Sequence, residues 1–339
     1  GTGGTSGIIV TGGDVSLGVA LISTSGFGGL GGQGFDIGYG AGPGGEGGIS
    51  SGGTTTARFI NSTVSADTLT INSTSQGGDG GAGGDELTNG GGGDGGNAIG
   101  GNATFETLGN STVTLGLARI DVGATGGRGG DDQDPFITGG DGGIGTGGTI
   151  TANFTGGSTD SEFLLFASGE GGDGGDTLQG NGGTGGGAQG GQVIVTVSGG
   201  SITGPGISLD TFAQGGQGGG AGDSSPNAVG NGGDATAGLA RFRLTSGSIE
   251  GDIGVFSEAE GGDAGFDNSG NDLRARAGGG TGGTAELLIE GGTANLDNAF
   301  VGADAAAGSA NQHSANATSG GTARILLSGG TTSISSDLS

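Results

Sequence analysis

The sequence predicts an all-β fold: a β-solenoid, similar in plan to a parallel β-helix, of about seven repeats of 38–49 residues. Three observations predict it. A short strand–turn–strand motif returns eight times along the chain. Tracts with the pattern G-G-x separate its copies, and glycine supplies 99 of the 339 residues. No stretch has a sustained helical period, and each glycine would cost a helix roughly 1 kcal/mol.

The repeat is defined by a polar anchor residue that follows the turn. Successive anchors are 49, 49, 46, 43, 47, 45 and 38 residues apart. The residue four positions before the anchor is apolar in all eight copies, with Leu108 assigned to this column in the third. The residue two positions earlier is apolar in seven copies, and Glu106 is the exception. The anchors are Asp14, Thr63, Thr112, Ser158, Ser201, Ser248, Thr293 and Thr331.

Each repeat begins with two strands joined by a turn. Alternating apolar residues, as at Val193, Val195 and Val197, indicate a first strand with one buried face. Glycine suits the turn, because a positive φ costs it nothing. A second strand follows, and both strands should stack on their equivalents in the next repeat at about 4.8 Å. The phenylalanines expected in the resulting ladders are Phe154, Phe166, Phe212, Phe242 and Phe256.

Glycine tracts complete each repeat by running out from the second strand and back to the next repeat. Their period of three matches polyglycine II, an extended helix in which neighbouring chains bond sideways because no Cβ intervenes. The alternative is that the tracts are disordered loops on an ordinary β-helix. Residues 1–339 are predicted to be one repetitive segment, with the glycine layer mainly at 26–285. The layer is expected to weaken at 302–320, where alanine replaces glycine.

The composition excludes several classes of protein. A net charge of −26 repels nucleic acid phosphates and anionic lipid headgroups, but it attracts divalent cations. The absence of cysteine excludes disulfides and thiolate metal sites, and only 4 prolines without a strict G-X-Y period exclude collagen. No apolar run is long enough to insert in a membrane. A start without methionine and an end in mid-pattern indicate a segment of a longer protein.

Two groups of known proteins share these patterns. The tracts, such as the one at 77–84, resemble the glycine-rich repeats of mycobacterial surface proteins. They are also similar to the polyglycine-II regions of phage tail adhesins and of glycine-rich insect antifreeze proteins. The strand–turn–strand segments at 193–202, 242–249 and 325–331 resemble the repetitive passengers of bacterial autotransporters and filamentous-haemagglutinin-type adhesins. The second resemblance implies a secreted or surface-anchored solenoid that spaces, adheres or self-associates along its axis.

The favoured hypothesis is therefore an extracellular structural or adhesive fibre segment of a bacterial surface protein. The alternative is a solenoid that binds glycans or ice along a flat face, although uneven threonine positions count against ice. An enzyme is not expected, since no column gathers carboxylates and arginines, and no catalytic residue or cofactor is predicted. The single histidine, His313, should lie on the surface. The pairs Arg241/Arg243 and Arg274/Arg276 should be local partners of the acidic surface.

Calcium is the one ion that the sequence brings into consideration. The nonapeptide pattern G-G-x-G-x-D-x-U-x matches at 80–88, with Asp85, and at 171–179, with Asp176. These copies are solitary, and two chance matches are expected in such a sequence. The densest acidic group is Asp131, Asp132 and Asp134, and carboxylates suit calcium, but a solvated turn is the simpler interpretation. Diffuse binding of divalent cations is expected rather than a defined site.

Overall fold

The chain is all-β. The computed structural model describes residues 1–34, 42–84, 90–132, 137–178, 180–222, 229–266, 275–310 and 316–338, and this part of the chain contains no helix. Twenty strands form one sheet, six short strands form another, and neighbouring strands pair in parallel. Parallel strands joined by long excursions, with nearest neighbours one repeat apart, give a β-solenoid-like architecture. The coarser part of the prediction, an all-β fold of solenoid-like plan, is thus confirmed.

As far as β16, the described strands follow one another in a regular order of two long strands and two short ones. They are β1 (Thr5–Thr11), β2 (Asp14–Ser23), β3 (Gly26–Phe27), β4 (Ser50–Ser51), β5 (Thr54–Ile60), β6 (Thr63–Asn72), β7 (Ser75–Gln76), β8 (Ala98–Ile99), β9 (Asn102–Leu108), β10 (Thr112–Asp121), β11 (Ala124–Thr125), β12 (Gly145–Thr146) and β13 (Thr149–Phe154). The remainder are β14 (Ser158–Phe166), β15 (Gly169–Glu170), β16 (Ala188–Gln189), β17 (Gln192–Thr203), β18 (Gly206–Gln214), β19 (Ala235–Thr236), β20 (Leu239–Glu260), β21 (Gly280–Thr281), β22 (Thr284–Ile289), β23 (Thr293–Gly302), β24 (Ala305–Ala306), β25 (Thr322–Leu327) and β26 (Thr331–Leu338).

The long strands stack in two rows along one axis. Row A holds the strands before each turn (β1, β5, β9, β13, β17, β20, β22 and β25), and row B holds those after it (β2, β6, β10, β14, β17, β18, β20, β23 and β26). Strands β17 and β20 run through the turn and belong to both rows. We call one passage through both rows and the following tracts a coil. All seven predicted anchor pairs are found, from Asp14 beside Thr63 to Thr293 beside Thr331.

The predicted apolar column before the anchor is wrong in the third coil. Thr107, not Leu108, pairs with Phe59, and Thr107 is buried whereas Leu108 faces outward. The turn in this coil is one residue longer than in the others, and a shift of one residue exchanges the two faces of a strand. Glu106, the exception in the predicted column, therefore faces outward, where its carboxylate lies 3.0 Å from Nε of Arg58.

The hydrophobic core lies between rows A and B. Inward side chains alternate with outward ones along each strand, as the period of two predicts. The ring centroid of Phe105 lies 5.7 Å from that of Phe59, 5.6 Å from that of Phe154 and 5.4 Å from that of Phe163. Aromatic pairs at such separations contribute about 0.5–1.5 kcal/mol each beyond the burial of their area. This cluster therefore ties three successive coils together.

Three of the five phenylalanines predicted for the core lie outside it. Phe154 and Phe242 are fully buried. Phe166, Phe212 and Phe256 are half-buried on the outer face of row B, because the inward positions of their strands belong to aliphatic neighbours. The outer face of row B therefore carries three aromatic rings that do not belong to the hydrophobic core.

The core narrows where each row-B strand approaches its glycine tract. Small residues occupy the buried column there, and two of their hydroxyls bond across to the start of row A. The Oγ of Ser73 donates to the carbonyl of Gly53 at 2.6 Å, and the Oγ of Ser257 donates to that of Gly238 at 2.8 Å. The two rows converge until their backbones can bond directly. The column contains Thr24, Ser73, Val122, Ala167, Thr211 and Ser257.

Beyond this narrowing the glycine tracts form a layer without a hydrophobic core. Outgoing tracts continue from row B at 28–34, 77–84, 126–132, 171–178, 215–222, 261–266 and 307–310. Returning tracts lead to row A at 42–49, 90–97, 137–144, 180–187, 229–234, 275–279 and 316–318. Short strands at the inner ends of the tracts join this layer to the rows.

The triplet 126–128 shows how the layer is bonded. The N–H of Gly126 donates to the outgoing tract of the next coil, at the carbonyl of Glu170, 2.8 Å away. The N–H of Gly127 donates to the returning tract, at the carbonyl of Gly96, also 2.8 Å away. Three residues later Gly129 and Gly130 repeat both bonds. Each tract is therefore bonded to neighbours on several sides with a period of three.

Glycine is needed in this layer because the backbones approach too closely for a side chain. A Cβ at Gly127 would overlap the carbonyl oxygen of Gly78, and one at Gly129 would overlap that of Gly140. Among the described tract glycines, none has a φ in the left-handed region. Their role therefore differs from that of turn glycines such as Gly247, which has a φ of 90°.

The last described outgoing tract keeps glycine where contact requires it. Gly308 donates to the carbonyl of Gly278 at 3.1 Å, and a Cβ at Gly308 would overlap the carbonyl oxygen of Gly262 in the preceding coil. Ala307 stands where the earlier coils have their first glycine, which faces the returning tract. The bonded layer thus extends past residue 300. Its alanine faces the returning tract, and its glycine contacts the tract of the preceding coil.

Alanine in place of Gly127 should destabilise the fold strongly, because its Cβ would displace a bonded backbone. We expect the free energy of unfolding to fall by about 3 kcal/mol, at the upper end of overpacking costs. Gly29→Ala is the matched control, since Gly29 is the second glycine of its triplet but has nothing within 4 Å of a Cβ. Urea unfolding measures both variants. Equal losses would show that close approach is not the reason for glycine here.

Candidate functional surface

The third residue of each G-G-x triplet carries the side chains of the glycine layer. In the outgoing tracts these side chains continue the outer face of row B. Aspartate and asparagine are common among them, and their Oδ1 accepts a hydrogen bond from the backbone N–H of the equivalent residue in the next coil. In the described tracts ten such bonds measure 2.6 to 2.9 Å. The acceptors are Asp79, Asp94, Asn97, Asp131, Asp141, Asp173, Asp176, Asn231, Asp234 and Asp263.

These bonds give the acidic residues a structural role that their sequence pattern does not reveal. The two glycine N–H groups of a triplet already bond to carbonyls, but the third N–H faces the outside of the layer. A carboxylate or amide oxygen from the preceding coil satisfies it, as Oδ1 of Asp79 does for Arg128 at 2.9 Å. We call this set of bonds the Asx ladder. It ties each coil to the next along the axis.

Two of the calcium candidates, Asp131 and Asp176, belong both to this ladder and to ion pairs with arginine. Oδ1 of Asp131 accepts the N–H of Asp176, and Oδ1 of Asp176 accepts that of Gly220. Both carboxylates also pair with Arg128, at 2.8 Å for Asp131 and 3.0 Å for Asp176. Asp132 is buried and donates its N–H to the carbonyl of Asp176.

The remaining candidates, Asp85 and Asp134, lie outside the described residues, as do His313 and Arg274. Within the described ranges, no three histidines or carboxylates are grouped so that they could hold a metal ion.

Row A carries a second set of charged side chains. Nε of Arg241 lies 2.6 Å from Oε2 of Glu286, and Nη1 of Arg324 lies 3.6 Å from Oε1 of the same carboxylate. Nη2 of Arg243 lies 2.7 Å from Glu290. These pairs join neighbouring coils. The exposed Arg243–Glu290 pair contributes little, about 0–1 kcal/mol, whereas the carboxylate of Glu286 is buried beside two arginines.

An open groove of about 460 Å³ runs over the outgoing tracts. Its lining includes Asp79, Arg128, Glu170, Asp173 and Asp263, so both charged and polar groups follow the axis. The groove is shallow because the tracts beneath it are flat. It is a surface for contact along several coils rather than an enclosed pocket.

Next to this groove, one column of row B alternates carboxylates and phenylalanines. It contains Asp121, Phe166, Asp210 and Phe256 in successive coils. Burial, and then the nearby charge of Glu258, raise the pKa of Asp210 to about 6. Sequence reasoning placed these phenylalanines in the core. The parity of each strand could have corrected this, since Phe212 and Phe256 fall out of step with the apolar positions before them.

Comparison with known proteins gives no match: no family model, no curated protein and no solved structure matches the chain. In the described ranges, no helix could span a membrane. The surface must therefore be interpreted from its own geometry.

Loss of one acceptor should show what the Asx ladder contributes. Asp141→Ala leaves the N–H of Thr184 without its acceptor at 2.7 Å, and we expect the free energy of unfolding to fall by about 1 kcal/mol. Asp141→Asn keeps the oxygen and removes a charge, so it should be neutral or slightly stabilising. Denaturant titration compares the two variants. If Asp141→Asn is as damaging as Asp141→Ala, the charge and not the bond matters.

Proposed function

We propose that this chain is a segment of an extracellular structural or adhesive fibre, a spacer or stalk of a bacterial surface protein. The observation that carries the proposal is the continuous coil-to-coil bonding of rows, tracts and Asx ladder along one axis. In such an assembly each coil contacts only its neighbours, so the number of coils sets the length. Catalysis has no part in the proposal.

The finer reading of the fold belongs to the same proposal: about seven repeats of 38–49 residues, with tracts in the polyglycine-II arrangement. The three-residue period of the tract bonds supports it. A row-A strand of seven residues spans roughly 23 Å, and a tract of eight residues adds roughly 25 Å. Each coil is therefore broad compared with its rise of about 4.8 Å, which favours a stiff, flat rod.

The surface also suits an extracellular position and self-association along the axis. Parallel strand edges at the end of a stack can pair with another stack. A net charge of −26 keeps such rods apart sideways and attracts divalent cations as diffuse counterions. Sideways repulsion with end-to-end pairing would give single fibres rather than bundles.

Duplication of one coil should lengthen the molecule without disturbing it. A variant that repeats residues 158–200 in tandem keeps every anchor pairing, so electron microscopy should show an axial gain of about 4.8 Å per added coil. Immunogold labelling of the producing cells tests location separately. An added coil that leaves the length unchanged would contradict the spacer role. Label confined to the cell interior would contradict the proposed extracellular position.

A further inference from the structure

In one column of row B, an arginine of the chain itself stacks on an aromatic ring and pairs with a carboxylate. Asp121 and Phe166 lie directly beside each other in adjacent coils. The guanidinium carbon of Arg119 lies 4.8 Å from the centre of the Phe166 ring, and Nη2 of Arg119 donates to Oδ2 of Asp121 at 3.3 Å. A guanidinium stacks on an aromatic face while it donates to a carboxylate, because it is flat and its donors lie in its plane.

The same arrangement returns two coils later without its arginine. Asp210 and Phe256 are again direct neighbours in the same column. The register places Ser208 in the column of Arg119, through Leu164 in the coil between. Serine is too short to reach over the ring. The second pair thus has the carboxylate and the aromatic ring of the first but, among the residues that the structure describes, no cation beside them.

The ring of Phe256 lies along the sheet instead of standing away from it. A Cβ at Gly254 would be 2.7 Å from Cε2 of this ring, and a Cβ at Gly302 would be 3.3 Å from Cδ1. The ring therefore occupies the space over two glycines, one on its own strand and one in the next coil. The ring is half-buried on the outer face of row B, so part of it is open to solvent.

In the described part of the chain, no arginine pairs with the carboxylates beside this ring. Oδ1 of Asp210 is shielded from solvent and has no hydrogen-bond partner. Glu258 follows Phe256 by two residues on the same face of the strand. The charge of Glu258 and burial both disfavour the ionised form of Asp210 and raise its pKa. A cation over the ring would lie near both carboxylates and offset this cost.

We propose that Asp210, Phe256 and Glu258 form a binding site for an arginine side chain of a partner polypeptide. The partner's guanidinium stacks on Phe256 and donates to Asp210, as Arg119 does on Phe166 and Asp121. The net charge of −26 attracts basic segments to the face and raises their rate of encounter. The site is independent of the spacer role, since it uses the outer face and not the axial contacts.

The contact of Arg119 with Phe166 and Asp121 also indicates which ligand the second site should prefer. A lysine ammonium is a compact charge without a flat face, and it forms fewer directed bonds to a carboxylate. A neutral sugar could stack on the ring but would not offset the charges of Asp210 and Glu258. The contact that Arg119 makes therefore favours a guanidinium group over an ammonium group or a neutral sugar.

Peptide binding tests the site directly. The probe is the blocked peptide acetyl-Gly-Arg-Gly-amide, and the control peptide carries citrulline, which has the shape of arginine without its charge. NMR titration of ¹³C-labelled phenylalanine rings measures affinity and identifies the ring that responds. Asp210→Asn and Phe256→Leu should each weaken binding by about tenfold. Asp160→Asn, at an exposed position elsewhere on the outer face of row B, should change it by less than about twofold.

Two further variants use the internal example. Ser208→Arg should fill the site from within and abolish peptide binding. Arg119→Ser should empty the first site and raise the number of bound peptides from one to two. Equal binding of the citrulline peptide or of a glucose oligomer, or equal losses for Asp160→Asn and Asp210→Asn, would overturn the proposal. So would unchanged binding by Ser208→Arg.

Discussion

The rest of the structure depends on the hydrogen bond between an outgoing and a returning glycine tract. The N–H of Gly127 meets the carbonyl of Gly96, and the N–H of Gly143 meets that of Gly127, so the bonds zigzag from coil to coil. Two backbones can bond in this way only when no Cβ lies between them. This single constraint explains why two of every three tract residues are glycine. It also places most side chains of the layer at the third position.

The constraint extends into the rows through their common spacing. Tracts and strands belong to the same coils, so both must repeat at the rise that parallel strands impose, about 4.8 Å. The core becomes gradually thinner towards the glycine tracts. Its side chains change from phenylalanines such as Phe105 and Phe154 to small residues such as Ser73, and then to glycine. A layer stabilised by apolar area and a layer stabilised by backbone bonds are joined in one coil without a break.

The register of the coils was readable from the sequence because the anchors repeat and because strand parity is strict. It failed at Thr107, where one extra turn residue exchanged the faces of the strand and no composition signal marks the insertion. The position of Phe166 was ambiguous for another reason. It ends the continuous apolar run 163–166, in which a period of two cannot be seen.

The acidic side chains were harder to interpret. From the sequence alone, an aspartate after two glycines fits a turn, a calcium motif or a solvated surface equally well. Its bond to the next coil appears only when residues 43 to 49 positions apart are aligned, as for Asp141 with Thr184 and Asp79 with Arg128. The carboxylate–phenylalanine column is likewise a product of stacking. Strand parity indicates that Phe256 faces outward, but only the register places it beside Asp210.

Hydrogen exchange of the tract amides tests the account most directly, since the account rests on ordered backbone bonds in a layer without a core. Residue-resolved exchange should show the amides of Gly78, Gly127 and Gly172 protected to the same degree as those of buried strands, such as Ile120. All three N–H groups donate to carbonyls at 2.8 to 2.9 Å, and opening them requires the separation of adjacent coils. Exchange at the rate of an unfolded chain in the tracts, with protection confined to rows A and B, would contradict it.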